Sequence, residues 1–251
     1  MSQHSSEPRR RHLLRSLGVA AAVIVSLVVP SAVADASSAC RPWTFIGIPG
    51  TNQGKAHNSG TTDTALYGPQ VATVKQQFVA RKGSANVRTY NINYPARFGF
   101  LMTGYSSSVK TGVSTTRTLI SNVAKSCPST RFVIAGYSQG AHVGTLVLGD
   151  IPVSASKVHR AAFMGNPLFR DGSTNSVEAP AGSITRSGIL NGGRNWQTRW
   201  NGKVRDVCIN NDLVCEAGTT STAAHGAYNT TNYPGQSKRI PAYLGYNWLG
   251  G

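Results

Sequence analysis

Gly136-Tyr137-Ser138-Gln139-Gly140 sets a hydroxyl between two glycines, where a strand would turn into a helix. The run 131–135 before it is apolar and β-favouring, and 141–148 after it has helix-compatible spacing. A serine on so tight a turn has a strained backbone. Glycine on either side removes Cβ clashes and leaves the hydroxyl exposed above the sheet edge. The N–H of Gln139, at the start of the helix, can face a developing oxyanion. The chemistry these residues point to is nucleophilic acyl transfer, with a glycine-rich turn as the bland alternative in a chain of 27 glycines.

Serine attacks at neutral pH only if a histidine takes its proton and a carboxylate holds that imidazole in one tautomer. His142, His159 and His225 follow Ser138. His142 lies one helical turn on and reads as a packing or solvated residue, and His159 opens a strand. His225 follows a Gly/Thr/Ser/Ala loop that can reach back over the sheet, and is favoured. The acids after Ser138 are Asp150, Asp171, Glu178, Asp206, Asp212 and Glu216. Asp212 is preferred because it sits between Cys208 and Cys215, just after a strand. Asp206 is its nearest rival, although alternation puts its side chain within a strand rather than beyond the end.

The elements that must position these groups alternate between types. Strands are expected at 43–48, 86–94, 131–135, 158–164 and 203–209, and helices at 68–82, 109–124 and after Ser138. That alternation predicts a three-layer α/β sandwich with a mostly parallel sheet, whose reactive groups gather beyond the strands' carboxyl ends. The Gly-, Ser-, Asn- and Arg-rich stretch 171–201 reads as long surface loops.

Of the 251 residues, the first 34 read as a signal peptide. Arg9, Arg10, Arg11 and Arg15 precede an apolar segment at 17–29, and Ala32-Val33-Ala34 supplies a cleavage site. Arg10-Arg11-His12-Leu13-Leu14 loosely fits a twin-arginine leader; the ordinary secretory route and an uncleaved anchor are the alternatives. Residues 35–251 then suit one domain with a single substantial core. The whole chain carries +16, and loss of the leader's four arginines and Glu7 leaves about +13. This charge favours an anionic cell-wall or lipid surface. No nucleic-acid partner is expected, because the basic residues are scattered and accompany no recognised binding pattern.

Cys40, Cys127, Cys208 and Cys215 all follow the leader, as expected for two disulfides in an exported protein. Three pairings are open to sequence alone. The nearness of Cys208 to Cys215 favours one small loop and leaves Cys40 for Cys127. No C-x-x-C pair or histidine cluster supports a zinc site, and no metal or organic cofactor is expected.

The segment 208–215 (Cys-Ile-Asn-Asn-Asp-Leu-Val-Cys) followed by His225 resembles the acid and base segment of the cutinase family, in which an aspartate inside a disulfide loop precedes the histidine. The 136–140 segment is similar to that family's nucleophile elbow, and the order Ser, Asp, His is that of α/β-hydrolases. The resemblance spans nearly the whole mature chain. It implies a Ser138–His225–Asp212 triad, the pairing Cys40–Cys127, a five-stranded parallel sheet and a largely uncovered site without a large lid. It further implies that Thr51, after Gly50, joins Gln139 as an oxyanion donor, although Pro49 stands where the better-known fungal pattern has Arg.

Taken together these readings describe a secreted, monomeric serine esterase acting on short or medium acyl esters, polyesters or lipid esters. Leu213 and Val214 are expected near the site, and Phe98, Phe100, Leu101 and Met102 either line an acyl groove with them or pack in the core. The competing expectation is a basic cell-wall or membrane-surface binding protein with a vestigial hydrolase fold.

Overall fold

The computed structural model of the protein describes residues 40–98, 103–190 and 196–251. The expected leader at 1–34, and Phe100, Leu101 and Met102, lie outside the described residues. The described residues fall in one compact unit.

Six strands build the sheet: β1 (Trp43–Ile48), β2 (Val87–Asn91), β3 (Arg131–Tyr137), β4 (Val158–Met164), β5 (Ser176–Ala179) and β6 (Val204–Ile209). Their spatial order is β2-β1-β3-β4-β6-β5, and every neighbouring pair is parallel. The chain steps from β1 outward to β2 and then returns to β1's other side with β3. The strand order therefore reverses between β1 and β3, where an open α/β sheet leaves a crevice beyond its carboxyl ends.

The central strands read as continuous apolar runs because both their faces are covered. On one face Ile46, Ile134 and Phe163 meet α3 (Thr103–Ser126) and α4 (Gln139–Gly149) through Val109, Ile120, Val143 and Val147. On the other, Phe45, Val133 and Met164 meet α2 (Pro69–Lys82) through Val71, Val74 and Phe78, and the C-terminal segment through Leu244 and Leu249. Proline opens α2 at its first position, where the missing N–H costs nothing, behind the short helix α1 (Asp63–Tyr67).

Two differences from the sequence expectation have physical causes. The sheet has six strands rather than five, because β5 pairs with β6 inside the stretch expected to be loops. Its four residues, Ser-Val-Glu-Ala, form a half-buried edge strand too short to carry a period. Helix α3 begins at Thr103 rather than near 109 because its first turns are Gly, Tyr and Ser, without the apolar repeat that marks the rest.

Disulfides join Cys208 to Cys215 and Cys40 to Cys127. The second closes 87 residues of chain and so restricts the unfolded ensemble far more than the first, by about 4.5 kcal/mol in the chain-entropy picture. Beneath the sheet on the α4 side, Asp206 is fully buried. Its Oδ2 accepts from Asn166 Nδ2 at 2.8 Å, its Oδ1 has no partner among the described residues, and burial pushes its carboxyl up to about 7.

Breaking the long disulfide with Cys40→Ser/Cys127→Ser is expected to lower the thermal midpoint by about 10 °C, measured by circular dichroism. Asp206 yields an expectation of opposite sign. Between an unfolded value near 4 and the folded value of about 7, the folded chain keeps a proton that the unfolded chain releases. The stability contributed by that side chain is thus full below about pH 4 and is lost as pH rises to 7. Asp206→Asn should raise the midpoint by about 5 °C at pH 8 and leave it nearly unchanged at pH 4; equal shifts at both pH values would contradict the assignment.

Candidate active site

Ser138 leaves β3 at φ 53° and ψ −119°, a region that L-residues enter only under constraint. Two contacts hold it there. Its N–H donates to Met164 O on neighbouring β4 at 2.8 Å, and its carbonyl accepts from His142 N at 3.1 Å to open α4. The flanking glycines are required by closeness. A Cβ on Gly140 would lie 2.1 Å from Ile48 O, and one on Gly136 2.5 Å from Gly140 O. The missing side chain at 140 lets the loop after β1 lie directly against the start of α4.

Asp212 follows β6 in a tight turn: its N–H donates to Ile209 O at 3.0 Å and its carbonyl accepts from Glu216 N at 2.8 Å. The Cys208–Cys215 disulfide closes this turn. Glu216, itself buried, accepts from Asn211 N at 2.8 Å and steadies the left-handed Asn211. The Asp212 carboxylate is fully buried and collects donors from three directions. Val214 N reaches Oδ1 at 2.8 Å, Tyr228 OH reaches Oδ2 at 2.7 Å, and His225 Nδ1 lies 2.8 and 2.9 Å from the two oxygens. Burial, then the neighbouring Asp212 charge, holds the Tyr228 hydroxyl well above its ordinary pKa, so it remains a donor.

His225 sits in the one-turn helix α5 (Thr222–Gly226), capped by Ser221 Oγ, which accepts from Ala224 N at 3.0 Å. A carboxylate can only accept, so Nδ1 carries the proton and the lone pair of Nε2 is turned to Ser138 Oγ, 2.9 Å away. Tyr137 stacks on the imidazole with centroids 5.0 Å apart, and its hydroxyl donates to His225 O at 2.7 Å. Gly165 passes beneath at φ +59°, where a Cβ would stand 2.8 Å from His225 Cε1. Serine, imidazole and carboxylate thus form an unbroken relay across the carboxyl ends of β3 and β6.

Gln139 is the first residue of α4, where helical N–H groups lack intrahelical partners. Its side chain is buried and engaged elsewhere, accepting from Ser108 Oγ and donating to Arg97 O, each at 2.9 Å. This ties the start of α4 to α3 and to the segment after β2. Thr51 and Ser138 line the same cavity of about 230 Å³. The loop carrying Thr51 is fixed by Tyr94 OH donating to Pro49 O at 2.6 Å, Gly50 N to Gln53 Oε1 at 3.1 Å, and Asn52 N to Ala96 O at 2.8 Å. A proline needs only its carbonyl for the first of these contacts, which is how Pro49 fits the turn.

The cavity is mostly apolar, and the expected Phe98, Leu213 and Val214 line it, joined by Tyr105, Ile189 and Leu190. Phe98 and Ile189 are the two exposed large apolar side chains among the described residues. His142 and His159 are not brought to Ser138: His142 Nδ1 meets Tyr105 OH at 2.9 Å, and His159 lies at the opposite end of β4 beside Arg131. Sequence reading also missed Tyr228, Tyr137 and Gly165. The one available signal was Tyr228's place three residues past His225, and no periodicity singles it out. Among the described residues no three His, Cys, Asp or Glu side chains gather as a metal site.

The Cutinase family model matches residues 56–239. Acetylxylan esterase 2 of Talaromyces purpureogenus is 30% identical over 68% of this chain and 77% of its own length. Carboxylesterase Culp1 of Mycobacterium tuberculosis is 27% identical over 92% of this chain and 95% of its own. Among solved structures, a cutinase-like protein from Cryptococcus sp. superposes with a TM-score of 0.64 at 24% identity, covering 85% of this chain and 98% of that one, which attests the fold. With a match across most of its length, the chain belongs to the cutinase family of carboxylic ester hydrolases.

Proposed function

We propose that the protein is a secreted serine esterase working through a Ser138–His225–Asp212 triad and an acyl-enzyme. The observation that carries the reading is the relay of 2.9 Å from Ser138 Oγ to His225 Nε2 and 2.8 Å from His225 Nδ1 to Asp212. Ser138 Oγ bonds to the ester carbonyl carbon as its proton passes to His225 Nε2, and the carbonyl π pair moves onto oxygen. The backbone N–H groups of Gln139 and Thr51 take that oxyanion. The buried Asp212 charge stabilises the imidazolium. Collapse breaks the bond to the leaving oxygen, which takes the proton from His225. A water then repeats the sequence on the acyl-enzyme and returns the hydroxyl.

The apolar cavity beside Ser138 supports an acyl group of short or medium length, and its rim, with Phe98 and Ile189 exposed, supports esters presented by a polymer or a lipid. Relatives named acetylxylan esterase, cutinase and phospholipase keep acetylated glycan, polyester and lipid esters all in view. Two disulfides agree with export into an oxidising compartment. Residues 1–34 would be the leader, and 35–251 a monomeric one-domain enzyme.

Ser138→Ala is expected to lower kcat on p-nitrophenyl butyrate by about 10⁴-fold or more, with KM little changed and no fluorophosphonate adduct on the variant. Wild-type turnover in that variant, or an unlabelled wild type, would return the protein to the reading of a surface binder with a vestigial fold. Gly165→Ala, which drives a methyl group against His225 Cε1, should cost about 10²-fold in kcat while leaving circular dichroism unchanged. Rates across esters of increasing chain length would then show where the cavity ends.

A further inference from the structure

The end of the sheet opposite Ser138 carries a second organised set of side chains. Trp43 on β1, Arg131 on β3, Arg160 on β4 and Arg205 on β6 lie within the first three residues of four adjacent strands, on a diagonal that runs from Trp43 level with Arg131, through Arg160 level with Val133, to Arg205 level with Ala162. By alternation all four belong to the α2 face, since Phe45, Val133, Ala162 and Val207, each two residues on, enter that core. Two tryptophans hold the cations in place. Lys82 Nζ and Arg131 Cζ lie 4.6 and 5.1 Å from the Trp43 ring, and Arg160 Cζ and Arg205 Cζ lie 4.5 and 4.4 Å from the Trp248 ring.

Such crowding is costly unless something negative completes it. Among the described residues no aspartate or glutamate forms an ion pair with any of these four cations. Burial, and then Arg81, Arg131 and Arg160, lower the Lys82 pKa, and burial followed by Arg205 and Arg131 lowers that of Arg160. His159, held between Arg131 and Gly251 O, is pushed down to about 4 by burial and by the same arginines, and therefore stays neutral as an acceptor for Arg131. The cations are positioned and close, and among the described residues no aspartate or glutamate counters them.

We propose that this end of the sheet is a docking site for an acidic polymer, a flexible backbone bearing carboxylate or phosphate groups, which holds the protein while leaving the Ser138 end free. Two observations select this partner. Arg131 stands seven positions before Ser138, about 23 Å along a strand, and the exposed apolar Phe98 and Ile189 lie at the Ser138 end. A bilayer seated on Lys82 and Arg131, the cations at the far edge of this diagonal, would therefore hold both the cavity and those side chains off its surface. The indole faces are already engaged by the protein's own cations, so nucleic-acid bases have no platform on which to stack. The site is independent of the esterase reading, since it uses none of the same residues.

The test is binding of polygalacturonate and of long-chain polyphosphate, followed by titration calorimetry, to the wild type, to Lys82→Gln/Arg131→Gln and to a control pair of equal charge loss, Lys55→Gln/Arg186→Gln. Wild-type binding to at least one polymer should weaken about tenfold or more between 50 and 200 mM salt. The first pair should lose about tenfold at low salt, the control less than twofold, and both should hydrolyse p-nitrophenyl butyrate at the wild-type rate. If the double variant melts early, Arg131→Gln alone, at an exposed position, should still lose about threefold. Equal loss in both pairs, no binding to either polymer, or tighter binding to phosphatidylglycerol vesicles or single-stranded DNA at matched charge would overturn the proposal.

Discussion

The fully buried carboxylate of Asp212 is the constraint around which the site is arranged. An ion taken out of water costs several kcal/mol unless its lone pairs are met. Here a backbone N–H, a tyrosine hydroxyl and an imidazole N–H meet them. Each donor fixes something else in turn. The Val214 contact shapes the turn that the Cys208–Cys215 disulfide closes, and the Tyr228 contact ties that turn to the segment after α5. The imidazole contact sets a tautomer and points a lone pair at Ser138. Removing the charge would unfasten all three.

That arrangement needs two chain segments far apart in sequence to end at one place, and the parallel sheet provides it. Because β3 and β6 run the same way on either side of β4, their carboxyl ends open on one edge. The serine turn leaves one and the aspartate turn leaves the other. The tightness of the region follows from the same geometry, with backbone passing beneath the imidazole at Gly165 and the β1 loop lying on Gly140. Wherever three loops share one strand edge, side chains as small as a methyl group have to be absent.

Residues were legible in sequence where a physical rule repeats. Strands β1 and β4 have the expected bounds because both sheet faces bury them, and β3 runs on two residues further into the elbow. Ser138, His225 and Asp212 stood out in the sequence because serine chemistry leaves few partners and the flanking cysteines narrow the choice of acid, and the structure brings these three side chains within hydrogen-bond distance. Strand β5 was hidden because four half-buried edge residues look like loop. Tyr228 and Gly165 were hidden for another reason. Their roles come from contacts across the fold, a hydroxyl against a carboxylate and a vacancy beneath a ring, and neither leaves a local pattern. The arginines on three adjacent strands were hidden in the same way, since the residues neighbour one another only once the strand order is known.

The left-handed backbone at residue 138 carries a consequence for how the protein can evolve or be engineered. A non-glycine residue there forgoes about 1–3 kcal/mol of conformational ease, a substantial part of the margin by which a domain of this size stays folded. If Ser138 is the nucleophile proposed above, heat tolerance and reactivity pull that position in opposite directions, since glycine would relax the turn and remove the hydroxyl together. Variants selected for robustness alone drift toward inert scaffolds, and hardening that preserves turnover has to be sought elsewhere, in the helices, loops and disulfides remote from the elbow.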